Sequence, residues 1–158
     1  MVSIIICYAS YSGNTKEVAE LIAEIAQTYY HKVRLYRIDG MSPPPELTNY
    51  DLIMIGTFTW GKGATPIIVK NFIADVGYKP TNVAVFGTGD TQFGGDTLFC
   101  RAVDKIAKFY HSPYPTLKIE QSPRGAQEKK VRKWAKGVLQ IDDNSTNKSK
   151  SLRASKPE

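Results

Sequence analysis

The chain has 158 residues, of which 42% are hydrophobic and 23% are charged. This length suits one domain with one substantial core, and the composition is that of an ordinary globular protein. No apolar run approaches the roughly 20 residues that a membrane-spanning helix needs, and the apolar start of the chain is too short for a signal core, so we expect a cytoplasmic protein. The formal net charge is +6, yet no basic stripe interleaved with aromatics predicts nucleic-acid binding. An acidic protein partner is the other explanation for that charge.

Short apolar runs alternate with helical patterns along the chain. Continuous apolar runs at 2–8, 52–56 and 83–86 are typical of strands buried on both faces of a parallel sheet. The alternating run at 32–38 predicts a more exposed strand, and 117–120 a short fifth strand. Apolar residues at helical spacing predict helices at 18–29, 67–76, 98–110 and 127–139. This order predicts an α/β fold, an open five-stranded parallel sheet with helices on both faces.

Several residues that could carry chemistry are expected to be structural. Cys7 and Cys100 lie far apart inside apolar segments and in no metal-ligand spacing, which predicts two reduced, buried thiols. Trp134 repeats at helical spacing with the apolar residues around it and is expected in the core. His31 and His111 fall in turns and are expected at the surface.

The end of the chain has a different character. A dense basic cluster, Lys129, Lys130, Arg132, Lys133 and Lys136, is expected to form the solvated face of the last helix. From about residue 141 the chain is rich in Asn, Ser, Lys and Asp and cannot bury enough apolar surface to order itself. We therefore expect a domain at 1–140 and a flexible polar tail at 141–158.

The first turn, Ser10-Tyr11-Ser12-Gly13-Asn14-Thr15, has the composition of an anion site. It offers the aliphatic hydroxyls of Ser10, Ser12 and Thr15, a glycine that lets the backbone curl, and amide groups at a helix N-terminus, where the helix dipole favours negative charge. No lysine follows the glycine as in a nucleoside-triphosphate loop. The pattern alone leaves two interpretations open, a phosphate site and an ordinary Ser/Asn helix cap.

Two further loops follow the carboxyl ends of predicted strands, the edge at which open α/β sheets bind ligands. One carries Trp60 between small and glycine residues, where a planar ring could stack on it. The other carries Phe93 among glycines. Two aromatic residues converging on a phosphate loop predict a planar, phosphorylated cofactor.

These three segments, in this order, resemble those of the flavodoxins. The family commonly carries a Ser/Thr-rich phosphate loop, matched at 10–15, a Gly-x-x-Thr-Trp-Gly stretch, matched at 56–61, and a Gly-Asp loop with an aromatic residue that leads to Phe-Cys, matched between Gly89 and Cys100. The resemblance spans residues 1 to about 140 and is closest to the short-chain type. It implies strand order 2-1-3-4-5, non-covalently bound FMN, and transfer of single electrons between redox partner proteins by a carrier that is not itself an enzyme.

Site residues carried over from the resemblance divide between the two ends of FMN. The phosphate would contact Ser10, Ser12, Asn14, Thr15 and the Gly13 amide. Trp60 and Phe93 would cover the two faces of the ring system, Gly61 would lie beside ring atom N5, and Asp90 would lie near the pyrimidine edge. The remaining cofactor contacts are expected at Tyr11, Thr57, Phe58, Thr59, Gly63, Thr88, Gly89, Gly94 and Cys100. No metal ligand and no catalytic residue is expected, and the protein is expected to be a monomer.

Two features leave alternatives open. Lys62 brings a positive charge to the ring loop, which predicts a second reduction step at a less negative potential than in an acidic flavodoxin. Lys62-Gly63-Ala64, Phe93-Gly94 and Pro113-Tyr114 also resemble the flavodoxin-like activator of the manganese-type (class Ib) ribonucleotide reductase. That activator is the alternative to a general electron carrier. A flavin-free binding module is a third reading, which the Trp60 loop and the phosphate loop disfavour.

Overall fold

The structure, a computed structural model, describes residues 2–29, 31–60, 62–92 and 95–140. Its strands are β1 (Ser3–Tyr8), β2 (Lys32–Arg37), β3 (Leu52–Phe58), β4 (Val83–Gly89) and β5 (Leu117–Glu120). Its helices are α1 (Asn14–Thr28), α2 (Ile67–Val76), α3 (Gly95–Leu98), α4 (Arg101–Tyr110) and α5 (Ala126–Val138). No helix in the described ranges is long and apolar enough to span a bilayer.

All five strands are parallel, and their order is β2-β1-β3-β4-β5, which confirms the predicted sheet. The apolar run of β1 is continuous because its alternate side chains enter two separate cores. Ile4 and Ile6 pack in the core that contains α1 and α5. Ile5 and Cys7 pack in the core that contains α2 and α4. The helices therefore cover both faces of the sheet.

The amino ends of the strands form one edge of the sheet, and side chains lock it. The Ser3 amide donates to the Asp51 carboxylate at 2.9 Å. The Asn82 side-chain amide donates to the carbonyls of Tyr50 and Asp51, at 3.1 and 2.7 Å. Gln140, just after α5, lines a small cleft with Asp51 at this edge. The carboxyl ends of the strands, with the three loops that the sequence singled out, lie at the opposite edge.

The helix predicted at 98–110 is interrupted, so that prediction was wrong in part. α3 ends at Leu98 and α4 begins at Arg101, with Cys100 between them in a left-handed conformation of φ 51°. The start of α4 is capped from another loop, because the Thr59 hydroxyl accepts a hydrogen bond from the Ala102 amide at 3.1 Å. Apolar periodicity continues across the break and does not reveal it.

Phe109 shares the apolar spacing by which this helix is predicted, yet the residue is 43% exposed. The buried positions of α4 are Ala102, Val103, Ile106 and Tyr110, which define a face that Phe109 does not share. Its ring instead carries the Lys79 ammonium, which lies 4.1 Å from the ring centroid. The apolar spacing that predicts a helix here does not distinguish this exposed position from the buried ones.

The prediction that His31 lies at the surface was wrong. The residue is buried, and its Nδ1 atom accepts a hydrogen bond from the Val2 amide at 3.2 Å. This contact with the start of β1 holds the imidazole away from solvent. His111, at the end of α4, is exposed as predicted.

The predictions for the two cysteines, for Trp134 and for the basic residues of the last helix are confirmed. Cys7 and Cys100 are both buried free thiols. Trp134 is buried, and its indole Nε1 donates to the Pro115 carbonyl at 2.6 Å. The basic residues of α5 lie mostly on its exposed side. The predicted polar tail, 141–158, lies outside the described residues.

Candidate functional site

The loop between β1 and α1 has the geometry of an anion cradle. Gly13, at φ 101°, is the N-cap of α1, and a side chain there would meet nothing within 4 Å. The Ser10 hydroxyl accepts hydrogen bonds from the amides of Gly13 and Lys16, at 3.1 and 3.3 Å, and so holds the turn. The amides of Ser12 and Asn14 donate to no residue in the described part of the chain. They leave open donors at the positive end of a 15-residue helix.

Two contacts join this loop to the carboxyl ends of two other strands. The hydroxyls of Thr15 and Thr88 lie 2.8 Å apart and are both buried, which ties the start of α1 to the end of β4. The Arg37 guanidinium donates to the Ser10 carbonyl at 3.2 Å and lies 5.9 Å from the centroid of the Tyr8 ring. Arg37 was not predicted as a site residue. Its position at the carboxyl end of β2 was the available signal.

Three aromatic side chains form one wall of the site. Trp60 contacts Tyr11 and Phe58 edge-on, with ring centroids 4.9 and 5.8 Å apart, and the Tyr11 and Phe58 centroids are 6.0 Å apart. Trp60 is 50% exposed and Tyr11 is 74% exposed. Large aromatic surfaces left open beside an anion cradle can stack on a planar ligand.

Trp60 begins a tight hairpin that closes at Ala64. Their backbones exchange two hydrogen bonds, of 2.8 and 2.7 Å. Gly63, at φ 85°, packs so closely that a Cβ there would lie 2.7 Å from Arg101 Cδ and 3.1 Å from Leu98 Cδ2. Lys62 is exposed near the tip. Gly61, which was predicted to lie beside ring atom N5, is outside the described residues.

The loop after β4 supplies a polar edge. One oxygen of the Asp90 carboxylate accepts the Gln92 amide at 2.9 Å, and the other accepts the Gln121 side-chain amide at 3.2 Å. The Gln121 backbone amide donates to the Gly89 carbonyl at 2.8 Å, so the end of β5 holds this loop in place. Phe93 and Gly94, predicted in the same loop, lie outside the described residues.

Cys100 lies in the wall behind this polar edge. A Cβ at Gly89 would be 3.1 Å from its sulfur, so the strand and the thiol meet without an intervening side chain. Burial raises the pKa of the Cys100 thiol to about 12, against a smaller opposing effect of a hydrogen bond with the Ile119 backbone. The thiol is therefore neutral near pH 7 and acts as packing rather than as a nucleophile.

These walls enclose an open cleft of about 240 Å³. Ten of its lining residues were predicted: Tyr11, Ser12, Asn14, Phe58, Thr59, Trp60, Thr88, Gly89, Asp90 and Cys100. Of the other predicted residues, Ser10, Gly13, Thr15, Thr57 and Gly63 are described but are not among the lining residues.

Three lining residues were missed: Leu98, Phe99 and Gln121. Leu98 and Phe99 were read as part of a continuous helix, and the break at Cys100 turns them toward the cleft instead. Gln121 follows the carboxyl end of β5, a fourth strand end that offered a usable signal. Within the described residues, no group of three His, Cys, Asp or Glu side chains could hold a metal.

A sequence model of the flavodoxin family matches residues 6–134. The chain belongs to the flavodoxin family. It is 32% identical to Probable flavodoxin 2 of Bacillus subtilis over 83% of this chain and 90% of that protein, and 34% identical to Probable flavodoxin 1 of the same organism over 88% and 91%. The crystal structure of oxidised Flavodoxin 2 from Bacillus cereus superposes with a TM-score of 0.76 at 34% identity, covering 87% of this chain and 98% of that one.

Family membership confirms an FMN-binding electron-transfer protein, and the flavodoxin relatives do not favour the reductase activator. The donor set of the cleft fits FMN. Open amides and hydroxyls at the start of α1 suit a phosphate, the wall of Tyr11, Phe58 and Trp60 suits a flat ring system, and the Asp90 edge suits polar ring atoms.

Proposed function

We propose that this chain carries single electrons between redox partner proteins on one FMN bound in the cleft at the carboxyl ends of the strands. The observation that supports this most strongly is the meeting of two features in one cleft. Open amides at the start of α1 and the half-exposed indole of Trp60 both line it. Bound FMN supplies the redox chemistry, while the protein supplies binding, orientation and the local electric field.

The phosphate end is assigned to the loop at 10–15. Ser12 and Asn14 line the cleft and would donate through side chain and backbone. Ser10 holds the turn through the Gly13 amide and would contact the phosphate at its edge. Thr15 would contribute a hydroxyl whose direction is fixed by Thr88.

The ring end is assigned to the other loops. Trp60 would cover one ring face, supported by its edge-on contacts with Tyr11 and Phe58. The resemblance to flavodoxins implies that Phe93 would cover the second face and that Gly61 would lie near N5. Asp90 would accept a hydrogen bond at the pyrimidine edge. The other predicted contacts, Thr57, Thr59, Gly63, Thr88, Gly89, Gly94 and Cys100, would shape the rim around the ring.

Comparison of FMN with riboflavin, which lacks the phosphate, separates the two ends of the site. Titration of flavin fluorescence into the flavin-free protein measures both affinities. Ser12→Ala is expected to weaken FMN binding by about tenfold, because the missing hydroxyl would donate a charge-assisted hydrogen bond to the phosphate. Riboflavin has no phosphate, so its affinity should stay unchanged. Trp60→Ala is expected to weaken both ligands by about tenfold, because stacking on a flat ring is independent of the phosphate.

Thr28→Ala is the matched control. Thr28 is an exposed residue at the far end of α1 whose hydroxyl bonds the Glu24 carbonyl, so both affinities should stay unchanged. Failure of the wild-type protein to bind FMN would overturn the proposed function. Equal loss of FMN and riboflavin in Ser12→Ala would overturn the assignment of the phosphate end.

The charge at the hairpin tip should affect the flavin potential. Lys62 is exposed beside the proposed ring site, and a cation there stabilises the anionic, fully reduced cofactor. Lys62→Glu is expected to make the second reduction potential more negative by roughly tens of millivolts, a shift reduced by solvent screening. A potentiometric titration that shows the same potential in both proteins would contradict this.

The setting of this activity is inferred from composition and net charge. We infer a carrier that is itself no enzyme, that works in the cytoplasm as a monomer, and whose partners are acidic, as the net charge of +6 suggests. Light scattering of the FMN-loaded protein at several concentrations tests the monomer, and a dimeric mass would overturn it.

A further inference from the structure

One side of the molecule carries a group of exposed cations that begins at the cleft. Gly63 of the hairpin packs on the Arg101 side chain, and Lys105 lies one helical turn further along α4. Lys105 and Lys70 of α2 line the same groove. We name Lys62, Lys70, Arg101 and Lys105 the basic face, and all four residues are exposed.

The carboxylates of the same two helices point away from the basic face. Asp75 of α2 lines a separate cleft on the side of β2. Asp104 of α4 pairs with Lys118 of β5 at 2.7 Å, on the side of β5. No salt bridge among the described residues involves a cation of the basic face. These charges are therefore available to an external partner.

The groove between α2 and α4 has apolar walls. It has a volume of about 210 Å³, and Ile73, Ile106 and Phe109 line it between Lys70 and Lys105. Phe109 is 43% exposed, and Ile67 at the start of α2 is 72% exposed. An apolar centre surrounded by unpaired charges is the composition of a protein-docking surface.

The basic face adjoins the cleft that is proposed to hold the flavin ring. Leu98, which packs beside Gly63 together with Arg101, also lines the cleft, and so does Trp60 at the base of the same hairpin. A protein bound to the basic face would lie directly beside the proposed ring site. The denser basic cluster on α5 does not have this property, because α5 covers the opposite face of the sheet.

We infer that the basic face docks an acidic redox protein, whose carboxylates contact Lys62, Lys70, Arg101 and Lys105 while an apolar residue enters the groove beside Phe109. This inference rests on the proposed function and adds the docking surface. In the docked complex one electron leaves the reduced FMN and reduces the partner's redox centre by one electron. Charge complementarity would accelerate encounter more than it strengthens the complex.

Two small electron acceptors, one an anion and one a cation, can measure the electric field near the proposed ring site. The FMN-loaded protein is reduced with dithionite, freed of excess reagent, and mixed in a stopped-flow instrument with ferricyanide or with hexaamminecobalt(III). Each accepts one electron, and the first is an anion while the second is a cation. We expect the ferricyanide rate to fall and the cobalt rate to rise as salt is added, since salt screens attraction and repulsion alike.

The decisive variant is Lys62→Glu/Arg101→Glu/Lys105→Glu. It should slow ferricyanide by about tenfold and accelerate hexaamminecobalt(III), because the local field reverses sign. A changed flavin potential would instead move both rates in one direction. The triple Gln variant at the same positions removes the positive charges without adding negative ones. Its rates should lie between those of wild type and of the Glu variant, and it serves as the test if the Glu variant misfolds.

Lys129→Glu/Lys130→Glu/Lys133→Glu is the matched control, because it changes the net charge equally on α5. Its rates should stay within about twofold of wild type, since its charges are remote from the electron exit. Equal effects of the two triple variants would overturn the inference, as would two rates that move together.

The same series with oxidised rubredoxin, an acidic iron protein that accepts one electron, tests a macromolecular acceptor. The rate should fall with salt and fall by about tenfold in the basic-face variant. An unchanged rate would overturn the docking surface. If the wild-type chain does not retain FMN, the proposed function fails before any rate is measured, so the two failures are distinguishable.

Discussion

The hydrogen bond between Thr15 and Thr88 allows a quantitative test of how the site is held together. Both hydroxyls are buried and lie 2.8 Å apart. Valine at either position leaves the other hydroxyl buried without its partner, which costs about 1.5 kcal/mol. With a urea m-value of about 2 kcal/mol/M, each single variant should lower the unfolding midpoint by about 0.75 M.

The double variant decides whether the two hydroxyls interact. Thr15→Val/Thr88→Val removes both polar groups together, so its loss of stability should be smaller than the sum of the single losses by about 1 kcal/mol. Urea unfolding of the flavin-free protein, followed by circular dichroism, measures all three variants against wild type. Single losses that add to within about 0.3 kcal/mol would refute the hydrogen bond.

Two further predictions concern stability. Burial raises the pKa of the Cys7 and Cys100 thiols from 9.0 to about 12. The unfolded chain releases these protons near pH 9 and the folded protein does not, so each thiol should lower the free energy of unfolding by about 1 kcal/mol between pH 9 and pH 10. In Cys7→Ala/Cys100→Ala, urea titrations should show a smaller fall of the free energy of unfolding between pH 9 and pH 10. An unchanged fall would show that the two thiols do not cause it. Gly87→Ala should cost more than about 2 kcal/mol, since its Cβ would lie 2.5 Å from the Thr57 carbonyl oxygen, whereas Gly137→Ala, with nothing within 4 Å, should stabilise the protein by about 0.5 kcal/mol in the same assay.

The order of strands and helices could be predicted because a parallel sheet leaves a strong trace in the sequence. Its central strands are buried on both faces and therefore read as continuous apolar runs. The predicted end of β4 at residue 86 fell short of Gly89 for the same reason. Gly87 belongs to the strand although it has no side chain, because Val103 and the Thr57 carbonyl occupy the space of its Cβ. A pattern of apolar residues cannot register that contact.

The loop residues of the candidate site could be predicted from the sequence, but the residues that hold those loops in place could not. Ser12, Asn14 and Trp60 were found because their residue types are unusual directly after a strand. Arg37 and Gln121 were missed because each reaches the site from another strand end, and its partner is remote in sequence. Side-chain to backbone contacts across a rim depend on strand order, which becomes known only with the fold.

The helix break at Cys100 also depends on contacts between residues that are distant in sequence. Helical spacing continues from Leu98 to Tyr110, so the sequence predicts one helix. The close approach of Gly89 to the Cys100 sulfur, and the Thr59 hydroxyl that caps the Ala102 amide, favour two helices instead. Both contacts are tertiary, and local propensity does not contain them.

The position of Gln140 bears on how the molecule could be attached to a surface. This residue follows α5 and lies with Val2 and Asp51 at the edge formed by the amino ends of the strands. The cleft and the hairpin that carries Lys62 lie at the other edge. A linker joined after Gln140 would therefore hold the molecule on an electrode with its redox site directed toward the solution. Linkers attached through Lys62 would place the same site against the electrode, so the two attachments offer opposite orientations for measuring current.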